Sequence, residues 1–165
     1  MAENYKNMKL LLHAIEGINR TMELKQLLLK CMESARTVVD AEASSLMLMD
    51  KRTGQLNLSV STGPVKDEIK GQVIPKNKGV ALWVLETQKP YLVNDMSESK
   101  MFYGDISEGF KTKNMICVPL FDSKNDILGI MQVLNKKGDG FSEKDIAVLE
   151  TLSSHVGLSI EKVKE

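Results

Sequence analysis

Apolar residues recur at helical spacing over roughly the first quarter of the chain. Leu10, Leu11, Ile15 and Ile18 form one stripe, which the polar stretch NRTMELKQ interrupts. Thr21 is placed to cap a second helix, with Leu24, Leu27, Leu28, Cys31, Met32 and Ala35 on its apolar face, and Asp40 ends the run. The period then becomes alternating. Residues 44–50, SSLMLMD, read as a strand, KRTG as a polar turn, and QLNLSVST as an antiparallel partner. Strict alternation predicts Leu56, Leu58 and Val60 on one face of that partner, with Asn57 and Ser59 on the other. GVALWVLETQ predicts a short helix stopped before Pro90, and YLVND a short strand. MICVPLFD is a further strand; Pro119 has no N–H for a ladder, which predicts an edge or a bulge there. SKND makes a turn, ILGIMQVLNK a longer strand and KGDG a glycine-rich turn.

The last element is a helix. Ser142 precedes it and Asp145 follows three residues later, a capping-box arrangement. Ile146, Leu149, Leu152, Val156, Ile160 and Val163 then recur at spacings of three and four. So narrow a stripe predicts a coiled-coil-like seam, and helices of this kind at both ends predict a homodimer. The pattern reads as one α+β domain over residues 1–165, an antiparallel sheet with helices packed on it. Residues 1–20 are expected to form an N-terminal signalling helix, and residues 142–165 a C-terminal helix leading to an output domain outside this chain.

Composition narrows the function classes. The chain has 165 residues, 42% hydrophobic and 27% charged, with a formal net charge of zero. That suits a globular domain with a core, and argues against a dedicated nucleic-acid or anionic-membrane binder. Lys111 and Lys113 make only a short basic cluster. No apolar run reaches membrane-spanning length, and MAENYKNMK lacks the core of a signal peptide. Two distant cysteines and ten methionines, with no disulfide framework, predict a cytoplasmic location.

Taken together, AEASSLMLMD, TGQLNLSVSTG, IPKNKGVALWVLETQKPYLVND, FKTKNMICVPL, ILGIMQVLNK and FSEKDIAVLETLSSHVGLSIE resemble the GAF domain family, in order and spacing, from about Leu24 to Ile160. The resemblance implies a central antiparallel sheet of about six strands. Terminal helices would pack on one face and a loop-covered pocket would lie on the other. It implies a regulatory, non-enzymatic domain. Its partner would be an output domain of the same polypeptide, such as a kinase, cyclase, phosphatase or transcription activator.

In such a pocket the resemblance places Asp105, Thr112 and Gln132 at ligand-binding positions, with Asn114 closing the loop segment FYGDISEGFKTKN. Phe102, Tyr103 and Phe110 could stack on a planar ligand or plug the pocket themselves. Trp83 lies with Val80 and Val84 on the apolar face of the short helix, which borders the pocket in this fold. The cyclic-nucleotide-binding branch adds a pocket-bracing signature, matched here by Asn135, Lys136, Phe141 and Asp145, with an implied Lys–Asp bridge. Three departures stand against that branch: Ile146 replaces the signature's final Glu, Glu108 replaces a Thr beside the ligand, and LSVST at Leu58 to Thr62 lacks the aromatic-acidic pair expected near the end of the second strand. Three readings stay open, namely a cyclic nucleotide, another metabolite, and a degenerate domain serving only dimerisation.

No catalytic constellation emerges. A sulfoxide-reductase branch of the family needs two thiols close together, whereas Cys31 falls on a helix and Cys117 inside a strand. His13 and His155 have no Asp, Glu or Cys at metal-ligand spacing. KKGDG lacks the Lys-Ser/Thr of a phosphate-binding loop, and no helix-turn-helix pattern appears.

Overall fold

A computed structural model describes residues 6–7, 20–64, 73–74, 79–96 and 111–164. Its elements run α1 (Arg20–Val38), β1 (Ala41–Met49), β2 (Leu56–Thr62), β3 (Val73–Ile74), α2 (Gly79–Thr87), β4 (Tyr91–Val93), β5 (Met115–Phe121), β6 (Ile127–Lys136) and α3 (Glu143–Lys164). Thr21 already lies within α1 instead of preceding it. The N-terminal helix expected over residues 1–20 lies outside the described residues, apart from 6–7 and Arg20.

The six strands form one sheet in the order β3-β2-β1-β6-β5-β4, and every pairing is antiparallel. The sheet thus joins two hairpin halves of the chain along the β1–β6 ladder, from Ala41↔Lys136 to Leu48↔Gly129. β6 is buried on both faces for most of its length, as a central strand covered on two sides should be. Pro119 pairs with Ile130 on β6, while β4 extends along β5 only as far as Cys117. Its missing N–H therefore falls where β5 is a sheet edge, as the sequence predicted.

The alternation in β2 does not hold. Leu46 pairs with Val60 but Met47 pairs with Leu58, so Ser59 is the extra residue of a bulge. The bulge turns the strand over. Leu56 and Leu58 enter one core cluster and Val60 the other.

Those clusters occupy opposite faces. On one, α1 and α3 bury Leu28, Met32, Leu149, Leu152, Val156 and Ile160 against Leu46, Ile116, Val118, Leu120, Met131 and Val133. On the other, Val80 and Val84 of α2 pack with Ala43, Met47, Leu58, Met115, Cys117, Ile130 and Leu134. The α3 stripe read as a seam for a partner is therefore occupied within the domain. Leu149, Leu152, Val156 and Ile160 are all buried in this chain's own core. Buried Ser153 and Gly157 widen the contact face beyond what apolar periodicity shows. Leu29 and Leu158 are instead the large apolar side chains left exposed among the described residues.

Candidate functional site

Antiparallel pairing places directly opposed residues on the same face of a sheet. The registers Ser61↔Ser45, Ser45↔Gln132, Gln132↔Cys117 and Cys117↔Tyr91 thus set five residues abreast on the α2-side face. Two apolar rows flank them. One is Leu58, Met47, Ile130 and Pro119; the other is Ala43, Leu134, Met115 and Val93. Ser45 and Gln132 are both buried in the middle of this face. Among the described residues, the buried Ser45 hydroxyl oxygen has no hydrogen-bond partner. Its neighbour Ser44, on the opposite face, is fully engaged: its Oγ donates to the Met32 carbonyl at 2.9 Å and lies 2.6 Å from Thr62 Oγ1. One strand thus carries a satisfied serine toward α1 and an unsatisfied one toward α2. A buried hydroxyl left without a partner costs about 1–3 kcal/mol.

At the end of the β5–β6 ladder lies a polar cluster. Asn135 adopts φ 62°, a left-handed conformation that Asn tolerates better than most residues. Its Oδ1 accepts from the Lys113 N–H at 2.6 Å and the Asn114 N–H at 3.3 Å. Its Nδ2 donates to the Lys111 carbonyl at 2.8 Å and to Glu42 Oε2 at 3.3 Å. Asn114 Oδ1 accepts from the Lys136 N–H at 2.8 Å, so its side chain extends the ladder. Lys136 Nζ then donates to Asp145 Oδ2 at 2.7 Å, and the same carboxylate oxygen accepts from the Ser142 N–H at 2.9 Å. That second bond is one half of the capping box at the start of α3. The Lys–Asp bridge is therefore present and also ties β6 to α3.

Of the other residues singled out in the sequence, Thr112 is buried at the root of this cluster. Trp83 is half-buried against the α2-side core, its ring edge-on to Tyr91 with centroids 5.4 Å apart. Asp105, Phe102, Tyr103, Phe110 and Glu108 lie outside the described residues. Ser45 and Asn94 are not singled out by the sequence pattern. A serine inside a Leu/Met strand was the available signal for Ser45, but only the register shows which face it joins. Asn94 Oδ1 accepts from the Phe141 N–H at 2.7 Å, and its Nδ2 donates to the Phe141 carbonyl at 3.0 Å. That pair spans elements far apart in sequence and left no local pattern.

A family model described as GAF domain matches residues 21–161. The chain belongs to the GAF domain family. This GAF domain is 28% identical over 162 residues to the dual 3',5'-cyclic-AMP and -GMP phosphodiesterase 11A of Takifugu rubripes, covering 90% of this chain and 18% of that protein. It is 26% identical over 154 residues to the probable 3',5'-cyclic phosphodiesterase pde-5 of Caenorhabditis elegans, covering 87% of this chain and 21% of that one. The chain thus spans about a fifth of the length of these relatives. Among solved structures, the GAF domain of an Acinetobacter phosphoenolpyruvate-protein phosphotransferase superposes with TM-score 0.78 at 18% identity, covering 98% of this chain and 95% of that one. The free methionine-R-sulfoxide reductase of Neisseria meningitidis superposes with TM-score 0.74 at 18% identity, covering 95% and 88%. Likeness at these identities speaks to the GAF fold, which carries unrelated functions on different sites.

The two thiols bear on the reductase comparison. Cys31 belongs to the core under α1 and α3, and Cys117 to the core under α2, with the sheet between them. Both are buried thiols outside any disulfide. Burial raises the Cys31 pKa from 9.0 to about 12 and pushes Cys117 higher still. Neither is a ready nucleophile, and the sheet keeps them from acting as a pair. We expect both to resist iodoacetamide near pH 8 in the folded protein and to react in denaturant, read by mass spectrometry; prompt native labelling would contradict this burial. Because burial disfavours the thiolate, Cys31 also couples stability to pH. Its contribution is intact below pH 9.0 and is lost as pH rises toward about 12, since the unfolded chain sheds this proton first.

Among the described residues, no group of three or more His, Cys, Asp or Glu could hold a metal ion. No described helix is long and apolar enough to cross a membrane.

Proposed function

We propose that this GAF domain is a regulatory module that binds a small molecule on the α2-side face of its sheet. The observation that carries this reading is the buried, unpartnered Ser45 hydroxyl, abreast of Gln132 in an otherwise apolar floor. An apolar surface with a few convergent polar groups is the usual form of a small-molecule site. A ligand offering a hydrogen-bonding edge would satisfy Ser45 and Gln132 while its body covers the flanking apolar rows. Asp105, Thr112 and the aromatics Phe102, Tyr103 and Phe110 are proposed to complete the site.

Cyclic nucleotides are the first class to test. The Lys136–Asp145 bridge at 2.7 Å supports that choice, as do the cyclic-AMP and cyclic-GMP names of the phosphodiesterase relatives. Ile146, Glu108 and the LSVST stretch without an aromatic-acidic pair remain the departures that oppose it. The test is mass spectrometry of the denatured, freshly purified protein for a carried ligand, followed by calorimetric titration with cyclic GMP and cyclic AMP. A carried ligand without heat from either nucleotide selects another metabolite. Neither ligand nor heat sinks the sensor reading and leaves a domain that serves assembly alone.

Output is proposed to leave through α3 to a further domain of a longer, cytoplasmic polypeptide. Solved GAF domains of comparable fold come from a two-component sensor histidine kinase of Bacillus halodurans and a GAF/HD-domain protein of Geobacter sulfurreducens. Dimerisation, if it uses the helix layer, falls to the outward face carrying Leu29 and Leu158, since the inner stripe is already buried. Sedimentation of the Leu29→Glu, Leu158→Glu double variant is expected to show monomer with unchanged circular dichroism. An unaltered dimer would remove this face from the interface.

A further inference from the structure

The start of α3 is held to the sheet by two polar ties of different mechanical character. Lys136 Nζ to Asp145 Oδ2, at 2.7 Å, anchors α3 to β6, a central strand paired on both sides. The Asn94–Phe141 pair anchors the approach to α3 to the end of β4. β4 is the edge strand, three residues long and paired on one side only. An inner strand is fixed by two ladders; a short edge strand has the least to lose by moving.

The edge tie is closely fitted. Gly140 sits at φ 94°, and a Cβ there would stand 2.5 Å from Asn94 Oδ1, so the backbone approaches the Asn94 amide as only glycine allows. Phe141 joins this tie to the helix layer, because its side chain is buried in the core that α1 and α3 share. On the other side, β4 belongs to the α2-side face. Tyr91 is abreast of Cys117 and Gln132 and meets Trp83 edge-on.

We propose that Asn94 is a positioning residue that reports displacement of β4, at the α2-side face, to the first turn of α3. Lys136–Asp145 serves as the fixed pivot about which that turn shifts. The proposal rests on the binding reading only for what moves β4, so its test uses no ligand.

The test is a mutant cycle read by hydrogen exchange at the Ile146, Ala147 and Val148 amides. Tyr91→Ala disturbs β4 from the α2 side and is expected to speed exchange at these amides by about tenfold. In an Asn94→Leu background the same change is expected to add less than about twofold, because the two act in series. In a Lys136→Met background it is expected to add its full effect, because that tie runs in parallel. The proposal is overturned if Tyr91→Ala leaves these amides unchanged, or if its full effect persists without Asn94. If Asn94→Leu does not fold, Asn94→Ala runs the same cycle, since it removes both bonds to Phe141 with less added apolar bulk. Failure of ligand capture would strike the binding reading and leave this result standing.

Discussion

Replacing Ser45 by Ala is expected to stabilise the ligand-free domain by about 1–2 kcal/mol, the reverse of the usual outcome for a buried substitution. The sign follows from the hydrogen-bond census. The Ser45 hydroxyl is buried with no partner among the described residues, so folding strips it of water without a compensating bond. Ala removes that oxygen and keeps the Cβ, so the cavity it leaves is smaller than a methyl group. Urea unfolding should show a higher midpoint at unchanged slope. Ligand affinity should move the other way, falling by about tenfold, the worth of one hydrogen bond in a desolvated site. Ser44→Ala is the internal control. It breaks the bonds to Met32 and Thr62, and should destabilise by about 1–3 kcal/mol while leaving the α2-side face untouched. If Ser45→Ala destabilises as Ser44→Ala does, the hydroxyl is not the unmet group the site requires.

Gly157→Ala is expected to destabilise the domain by about 2–3 kcal/mol. Helix propensity alone predicts the opposite, since Ala in a helix interior is favoured over Gly by roughly 0.8–1 kcal/mol. Packing decides the sign. A Cβ at Gly157 would run into the carbonyl oxygen of Phe121 and stand 3.2 Å from its carbonyl carbon. That oxygen belongs to the backbone of β5, which the β6 ladder holds, so the helix must retreat. Retreat loosens Val156 and Ile160 from Leu120 and Val118 in the shared core. It also strains the far end of α3, where Glu161 accepts from Ser123 Oγ at 2.6 Å and from the Ser123 N–H at 3.1 Å. Chemical denaturation reads the result. A gain in stability would mean that α3 sits farther from the sheet than described.

Much of the architecture was legible along the chain because it is written in local periodicity. The hairpin of β1 and β2, the short α2, the strands β4, β5 and β6, and the capped α3 all announce themselves within windows of about ten residues. β3, two residues long, was too short to show any period. The Ser59 bulge was invisible for a related reason: QLNLSVST alternates without a flaw, and only the partner strand reveals the extra residue. Apolar spacing along α3 says that a face will be buried, but not by what.

The candidate site divides along the same line. Read without coordinates, the chain yields the fold family, the order of the elements other than β3, and the residue types around Asn135, Lys136, Phe141 and Asp145. Those follow from near-neighbour spacing and from a resemblance spread over the whole chain. Tertiary structure alone decided that Ser61, Ser45, Gln132, Cys117 and Tyr91 stand abreast, that Cys31 and Cys117 are separated by the sheet, and that Asn94 grips Phe141. Each depends on the register of strands distant in sequence. A slip of one residue would send Ser45, Gln132, Cys117 and Tyr91 to the other face, and nothing local along the chain records which register wins.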